Sequence, residues 1–366
     1  MSFNGLPGLR IGNLEASVPI VQGGMGVGVS LSRLASAVAN EGGIGVIATA
    51  GIGLYEPDFT ANPSEANRRA LREEMRKARE LTTGLIGVNI MVALTDYDSL
   101  VESAFDEGAD LVLLGAGIAK KPKALAVDRL TDGATRVAPI VSSARAVNII
   151  FQYWGRHYNH VPDAVVVEGP LAGGHLGFKR EQLDDPACSL ANLLREVVSA
   201  VEPYEQRFGR SIPVIAAGGI YTGADIYEFT QLGAKGVQMA TRLVGTHECD
   251  AAMEFKEAYV KCTREDLVII NSPVGLPGRA IRTEFLEEVE AGERKPFKCP
   301  WKCLKTCELE NSPYCIALAL ANAKRGHMRN GFAFGGANAY RVNKIISVRE
   351  LMQSLAAEYN ERAARP

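Results

Sequence analysis

The histidine that ends Ala172-Gly173-Gly174-His175 is the side chain best placed to do chemistry. Its ordinary pKa of about 6.5 lies near working pH, and a positioned acid or base of this kind contributes about 10²–10⁴ in rate. The blander alternative is a histidine that caps its own loop. Four cysteines make a second candidate. Cys299, Cys303 and Cys307 stand at i, i+4 and i+8, with Cys315 eight residues further on. On a regular helix the first three would share a face, and a mixture of loop and helix could gather all four. Thiols this close favour a soft metal centre, zinc or iron–sulfur, over four free thiols filling a tail. His157 and His160 also have metal-like spacing. They precede the sixth expected strand, on the face away from the strand ends, and read as a surface loop. His247 follows the eighth strand and is assigned no role.

Glycine gathers where expected strands stop: Gly23-Gly24-Met25-Gly26, Gly115-Ala116-Gly117, Gly173-Gly174 and Gly218-Gly219. Tight turns and close approach of a ligand to the backbone both call for it. Gly24-Met25-Gly26 does not continue into GxGxxG, so no dinucleotide fingerprint is read there. Ala217-Gly218-Gly219 after the seventh strand and Ala240-Thr241-Arg242 after the eighth are the two loops with which barrels often hold phosphate, through backbone N–H groups.

The elements that must carry these residues are eight short apolar runs: Val18–Gln22, Ile44–Thr49, Leu85–Val92, Ala109–Gly115, Val137–Ser142, Ala164–Glu168, Pro213–Ala217 and Gly236–Thr241. Apolar runs without strict alternation suit parallel strands buried on both faces. Helical stretches between them include Ser30–Asn40, with Ser30 as its N-cap, Leu100–Glu107, Leu190–Val201 and Ala224–Leu232. Eight strands alternating with helices predict an α/β fold, a (β/α)₈ TIM barrel, over an open doubly wound sheet. Pro63–Leu81 reads as a charged helix inserted after strand two, with a solvated face of i,i+4 pairs. The expected division is a barrel over 1–270 and a cysteine-rich C-terminal extension over 271–366, packed on it.

A net charge of −2 with no basic stripe argues against a nucleic-acid partner. No run approaches the roughly 18 apolar residues of a membrane helix. The start MSFNGLPGLRIG lacks the features of an export signal, so the chain reads as cytoplasmic with reduced thiols. A homo-oligomer is a default expectation only.

The segments PIVQGGMGVGVSLSRLASAVANEGGIGVIA, GVNIMV, EGPLAGGHLGF and IPVIAAGGI with GAKGVQMATR, in this order, resemble the nitronate monooxygenase (2-nitropropane dioxygenase) family. That family includes the FMN-dependent enoyl-[acyl-carrier-protein] reductases. The resemblance covers residues 15 to about 250. It implies FMN on the strand-end face, with Gly24, Met25 and Gly26 beside the ring and Asn89 and Glu168 as polar contacts. Gly173 and Gly174 would admit the ring to the backbone, while Ala217, Gly218, Gly219, Gln238, Ala240 and Thr241 line the remainder and hold the phosphate. His175 would act on substrate as the catalytic residue. A flavin nearby gives a cluster something to do and favours [4Fe–4S] over zinc. The implied activity is reduction by NAD(P)H of an activated C=C bond in a small-molecule or acyl-thioester substrate. The alternatives are oxidation of nitroalkanes or nitronates with oxygen, and a non-catalytic redox sensor.

Overall fold

All eight apolar runs become strands, with ends within two residues of those expected. The computed structural model describes residues 3–119, 127–131, 133–299 and 301–365. The strands are Ile20–Gln22, Ile44–Ala48, Leu85–Met91, Leu111–Gly115, Arg136–Val141, Val165–Glu168, Val214–Ala217 and Gly236–Met239. They pair in parallel and close on themselves, the last meeting the first at Gln238 and Val21. The result is a (β/α)₈ TIM barrel.

Burial on both faces explains the unbroken apolar runs. One set of side chains, including Val21, Ile44, Val46, Leu113, Val166 and Ile215, fills the barrel interior. Leu9, Ile11 and Ala16 from the hairpin Leu9–Ile11 and Leu14–Ala16 join this set. The alternate set packs outward against the helices. Barrel strands one and two share only the Val21–Ile44 register. There the buried Gln22 amide replaces a ladder pair, donating to Val46 O at 2.7 Å and accepting from Val46 N–H at 3.2 Å.

The charged helix forms over Pro63–Leu81 as expected, and it is the crossover between strands two and three. Its charges reach outward more than along it. Arg76 pairs with Glu107 at 2.8 Å, Arg79 with Asp110 at 2.8 Å, and Arg69 with Glu56 at 2.9 Å and with Asp58. The sole i,i+4 pair of this helix among the described residues, Lys77–Glu73, is looser at 3.9 Å.

One helix start departs from the sequence reading. The first barrel helix begins at Ser32, and Ser30 does not cap it. Ser30 Oγ instead meets the backbone of Met25. The orphan N–H groups of Leu31 and Leu34 donate to Asp250, and that of Ser32 donates to Glu74. The cap is tertiary, so local spacing could not reveal it.

The extension is woven into the barrel's top. Leu267–Asn271 pairs antiparallel with Pro277–Ile281, which pairs in turn with the two-residue strand Gly174–His175. Further on, helix Val348–Ala363 lies against helix Gly223–Gln231, where a Cβ on Gly223 would come within 2.1 Å of Leu355 O. Among the described residues no helix is long and apolar enough to cross a membrane.

Candidate active site

Two chambers meet above the barrel. The first, of about 300 Å³, is lined by Gly24, Met25, Gly26, Asn89, Glu168, Gly173, Gly174, Ala217, Gly218, Gly219, Gln238, Ala240 and Thr241. Every residue expected from the resemblance to contact the cofactor is therefore brought together. Strand register does much of this: Ala217 stands level with Glu168 on one side and with Gln238 on the other. Gly24 is needed because a Cβ there would sit 2.4 Å from Asn89 Cβ. Gly218 and Gly219 hold φ of 90° and 94°, the left-handed region that favours glycine. Arg242 points away from this chamber, donating to Tyr221 O at 3.2 Å and pairing with Glu358 at 3.6 Å.

The extension supplies what the sequence reading missed. Gly335, Gly336, Asn338 and Phe334 line the same chamber. Gly336 N–H donates to Thr241 Oγ1 at 3.3 Å, and Asn338 donates to Gly219 O at 2.7 Å. A Cβ on Gly173 would meet Gly335 and Gly336 backbone at 2.6 Å, so that glycine admits the extension's main chain. Arg279, buried, donates to Pro170 O at 2.7 Å and Ala172 O at 2.6 Å and thereby fixes the loop before His175. The Gly-Gly at 335–336 was the one local signal for this half.

The chamber's chemistry fits FMN. Gln238 Oε1 is buried with no partner among the described residues, an acceptor suited to a ring N–H. Burial alone pushes the Glu168 carboxyl up to about 7, which favours a neutral acid able to donate to a ring carbonyl. The adjoining backbone of the two phosphate-type loops completes the cradle.

The second chamber, of about 410 Å³, is mostly apolar, with Leu54, Phe59, Met91, Leu94, Leu304 and Leu320 among its walls. Gly26, Met91, Gly174, His175 and Phe334 border both chambers. His175 therefore stands at their junction. Its Nε2 shares a 2.7 Å hydrogen bond with Ser272 Oγ, and its ring packs edge-on to Phe334 at 5.1 Å. Tyr259 holds Phe334 in place by donating to its carbonyl. Burial pushes the imidazole down to about 4, so it is neutral at pH 7.

The four cysteines lie in a loop-and-helix arrangement. Cys303 and Trp301 line the apolar chamber, and Cys315 precedes helix Ile316–Lys324, whose Ile316, Ala317 and Leu320 line it too. Burial, then the charges of Cys315, Cys299 and Cys307, pushes the Cys303 thiol up to about 12. All seven cysteines are free. Among the described residues no group of three or more His, Cys, Asp or Glu side chains is arranged to hold a metal ion. The HxxH pair is structural: His157 meets Tyr153 O at 2.8 Å, and His160 lies 3.4 Å from Arg210.

Comparison with known proteins agrees with this geometry. Residues 10–358 match the nitronate monooxygenase family. A Mycobacterium tuberculosis (strain ATCC 25618 / H37Rv) protein, (3aS,4S,5R,7aS)-5-hydroxy-7a-methyl-1-oxo-octahydro-1H-indene-4-carboxyl-CoA dehydrogenase, is 32% identical over 75% of this chain. The match spans just under two thirds, 66%, of that protein's length. A probable nitronate monooxygenase of Staphylococcus aureus (strain JH9) is 26% identical, over 91% of this chain and 94% of its own. The structure of FabK from Thermotoga maritima superposes with a TM-score of 0.72 at 28% identity, covering 95% of this chain and 94% of that one. With a closed barrel and a family match along nearly its whole length, the chain belongs to the nitronate monooxygenase family.

Proposed function

We propose that this enzyme uses NAD(P)H to reduce an activated C=C bond in an acyl-thioester-like substrate. The observation that carries the reading is the neutral, buried His175 at the junction of the flavin cradle and an apolar chamber. FMN, when bound, would supply the hydride chemistry between NAD(P)H and substrate. Gly24, Gly218, Gly219, Ala240 and Thr241 would hold it, with Gln238 and Glu168 as its polar partners.

The apolar walls exclude water and seat the acyl part. With Nε2 occupied by Ser272, Nδ1 is the ring nitrogen left for substrate. A serine that donates to Nε2 leaves the proton on Nδ1, where it hydrogen-bonds to the thioester carbonyl. A neutral imidazole can polarise a carbonyl in this way, and it draws charge off the β-carbon as hydride arrives. The α-carbon then takes its proton from solvent. The reading extends to a [4Fe–4S] cluster at the four cysteines as an auxiliary electron centre, zinc being the alternative. It also treats residues 1–270 as the barrel unit and 271–366 as its extension.

The CoA-linked relative supports a thioester. Oxygen-dependent oxidation of a nitroalkane or nitronate is the second reading, favoured by the S. aureus relative's near-complete coverage. Proton abstraction from a nitroalkane would ask more of a histidine held near 4. An anaerobic titration separates them. Flavin bleached by NADH or NADPH and reoxidised by an enoyl thioester supports the reductase. Flavin that neither nucleotide reduces, in a protein that consumes oxygen with nitronate, replaces it with the second reading.

A further inference from the structure

We infer that Asp96 is a specificity-determining residue: it receives a hydroxyl that the acyl group carries at its end remote from the flavin, so the preferred substrate is a hydroxylated acyl thioester. The inference rests on the acyl-thioester reading above and names the substrate class within it. Three observations carry it.

The first is where the carboxyl lies. Asp96 lines the apolar chamber but not the flavin cradle, whereas His175 borders both. Ser64, Asn67 and Thr95 accompany it there, and none of them borders the cradle either. The chamber thus has a polar patch set apart from the reacting centre. A purely aliphatic occupant would leave that patch desolvated and unmatched, which is costly.

The second is how the carboxyl is held. Asp96 immediately precedes helix Tyr97–Asp106, where an aspartate ordinarily accepts from the free N–H groups of its own helix. This one makes no such bond. It accepts instead from Asn67 Nδ2 at 2.7 Å. Asn67 is itself fixed: it is buried, it accepts from Gly53 N–H at 2.8 Å, and a Cβ on Gly53 would come within 2.6 Å of its backbone nitrogen. Arg69 on the same helix as Asn67 ties down the loop before it, through Glu56 at 2.9 Å and through Asp58. The carboxyl is therefore turned from its local role and clamped by a distant element.

The third is the company it lacks. Among the described residues Asn67 is the one side chain hydrogen-bonded to Asp96, and no cation forms an ion pair with it. Lys305 acts on it from further off, with its Nζ donating to Val92 O at 2.9 Å and lying over the Tyr97 ring at 5.4 Å. Burial raises the carboxyl above its usual range, against the opposing effects of Asn67 and Lys305. A hydroxyl both donates and accepts, so it satisfies this group whether ionised or neutral. An ammonium would be desolvated among apolar walls with a single counter-charge.

The test needs no turnover. Saturated acyl-CoA thioesters from hexanoyl to decanoyl, each plain, terminally hydroxylated or terminally aminated, are titrated into the holoenzyme by calorimetry. The corresponding methyl esters are titrated in parallel. The expected result is that, at one chain length, the hydroxylated ligand binds about tenfold tighter than the plain one. Asp96→Leu should reverse that order while FMN content stays unchanged, and Asp96→Asn, which keeps a polar amide, should preserve it. A merely structural role for Asp96 would weaken all ligands together and leave their ratio alone.

A parent protein that binds plain and hydroxylated ligands equally at every length overturns the inference without any variant. So does a tighter hold on the amine, or a hydroxyl preference that survives Asp96→Leu. Methyl esters that show the preference when no CoA thioester binds would uphold Asp96 and retire the thioester reading alone.

Discussion

The two halves of the site are built by different means. On the barrel side, positions follow from strand register and from glycines whose neighbours leave no room for a Cβ, as at Gly24 against Asn89. On the extension side, position depends on individual side chains: Ser272 on His175, Arg279 on two carbonyls, Asn338 on Gly219. A register tolerates the loss of one contact. A lone side chain does not. Substitutions on the barrel side should therefore fail by exclusion, and those on the extension side by release.

The largest effect tests the point where the halves share one group. His175→Asn should lower turnover by about 10²–10⁴ while the purified protein keeps its FMN, read from the flavin spectrum and steady-state rates. Next comes Gly173→Ala, whose new Cβ would press on the Gly335–Gly336 backbone. A cost of about 1–3 kcal/mol or more should appear in urea unfolding, together with a fall in FMN content.

Arg279→Met releases Pro170 O and Ala172 O, each bonded to a charged donor. A loss of about 2–3 kcal/mol and a lowered melting temperature are expected, with KM rising as the His175 loop loosens.

Glu168→Gln sharpens the barrel side through pH. The folded-state pKa of about 7 lies above the usual 4.5, so the folded apoprotein holds a proton that the unfolded chain releases between these values. Stability from this group is present below about 4.5 and is lost as pH rises through 7. The glutamine variant should thus match the parent at pH 4 and exceed it by about 3 kcal/mol at pH 8, read from urea melts across pH. The smallest effect is Lys305→Met, which removes one exposed tether to Val92 O. It should cost under about 1 kcal/mol and be seen chiefly as faster amide exchange in the cysteine loop.

The same contrast explains what the sequence disclosed. The eight strands and the cradle glycines were legible because buried parallel strands and tight loops leave local marks: an apolar run, a turn, a missing side chain. Pro63–Leu81 was legible down to its ends because proline starts it and its polar face is continuous. Ser272, Arg279 and Asn338 act across distances of 97, 107–109 and 119 residues, and nothing in their neighbourhoods announces a partner. The cap of the first helix was misread for the same reason. Asp250, 219 residues from Leu31, does what Ser30 was expected to do.

The pairing of Gly174–His175 with the Pro277–Ile281 strand also sets an order in time. A ribosome extrudes all eight barrel strands before it has made the strand that seats His175 or the glycines that finish the cradle. A barrel just emerged is a scaffold with its working face unfinished. Docking of the final quarter of the chain is then what completes the working face, and a chain cut before Pro277 should lack activity although it carries all eight barrel strands.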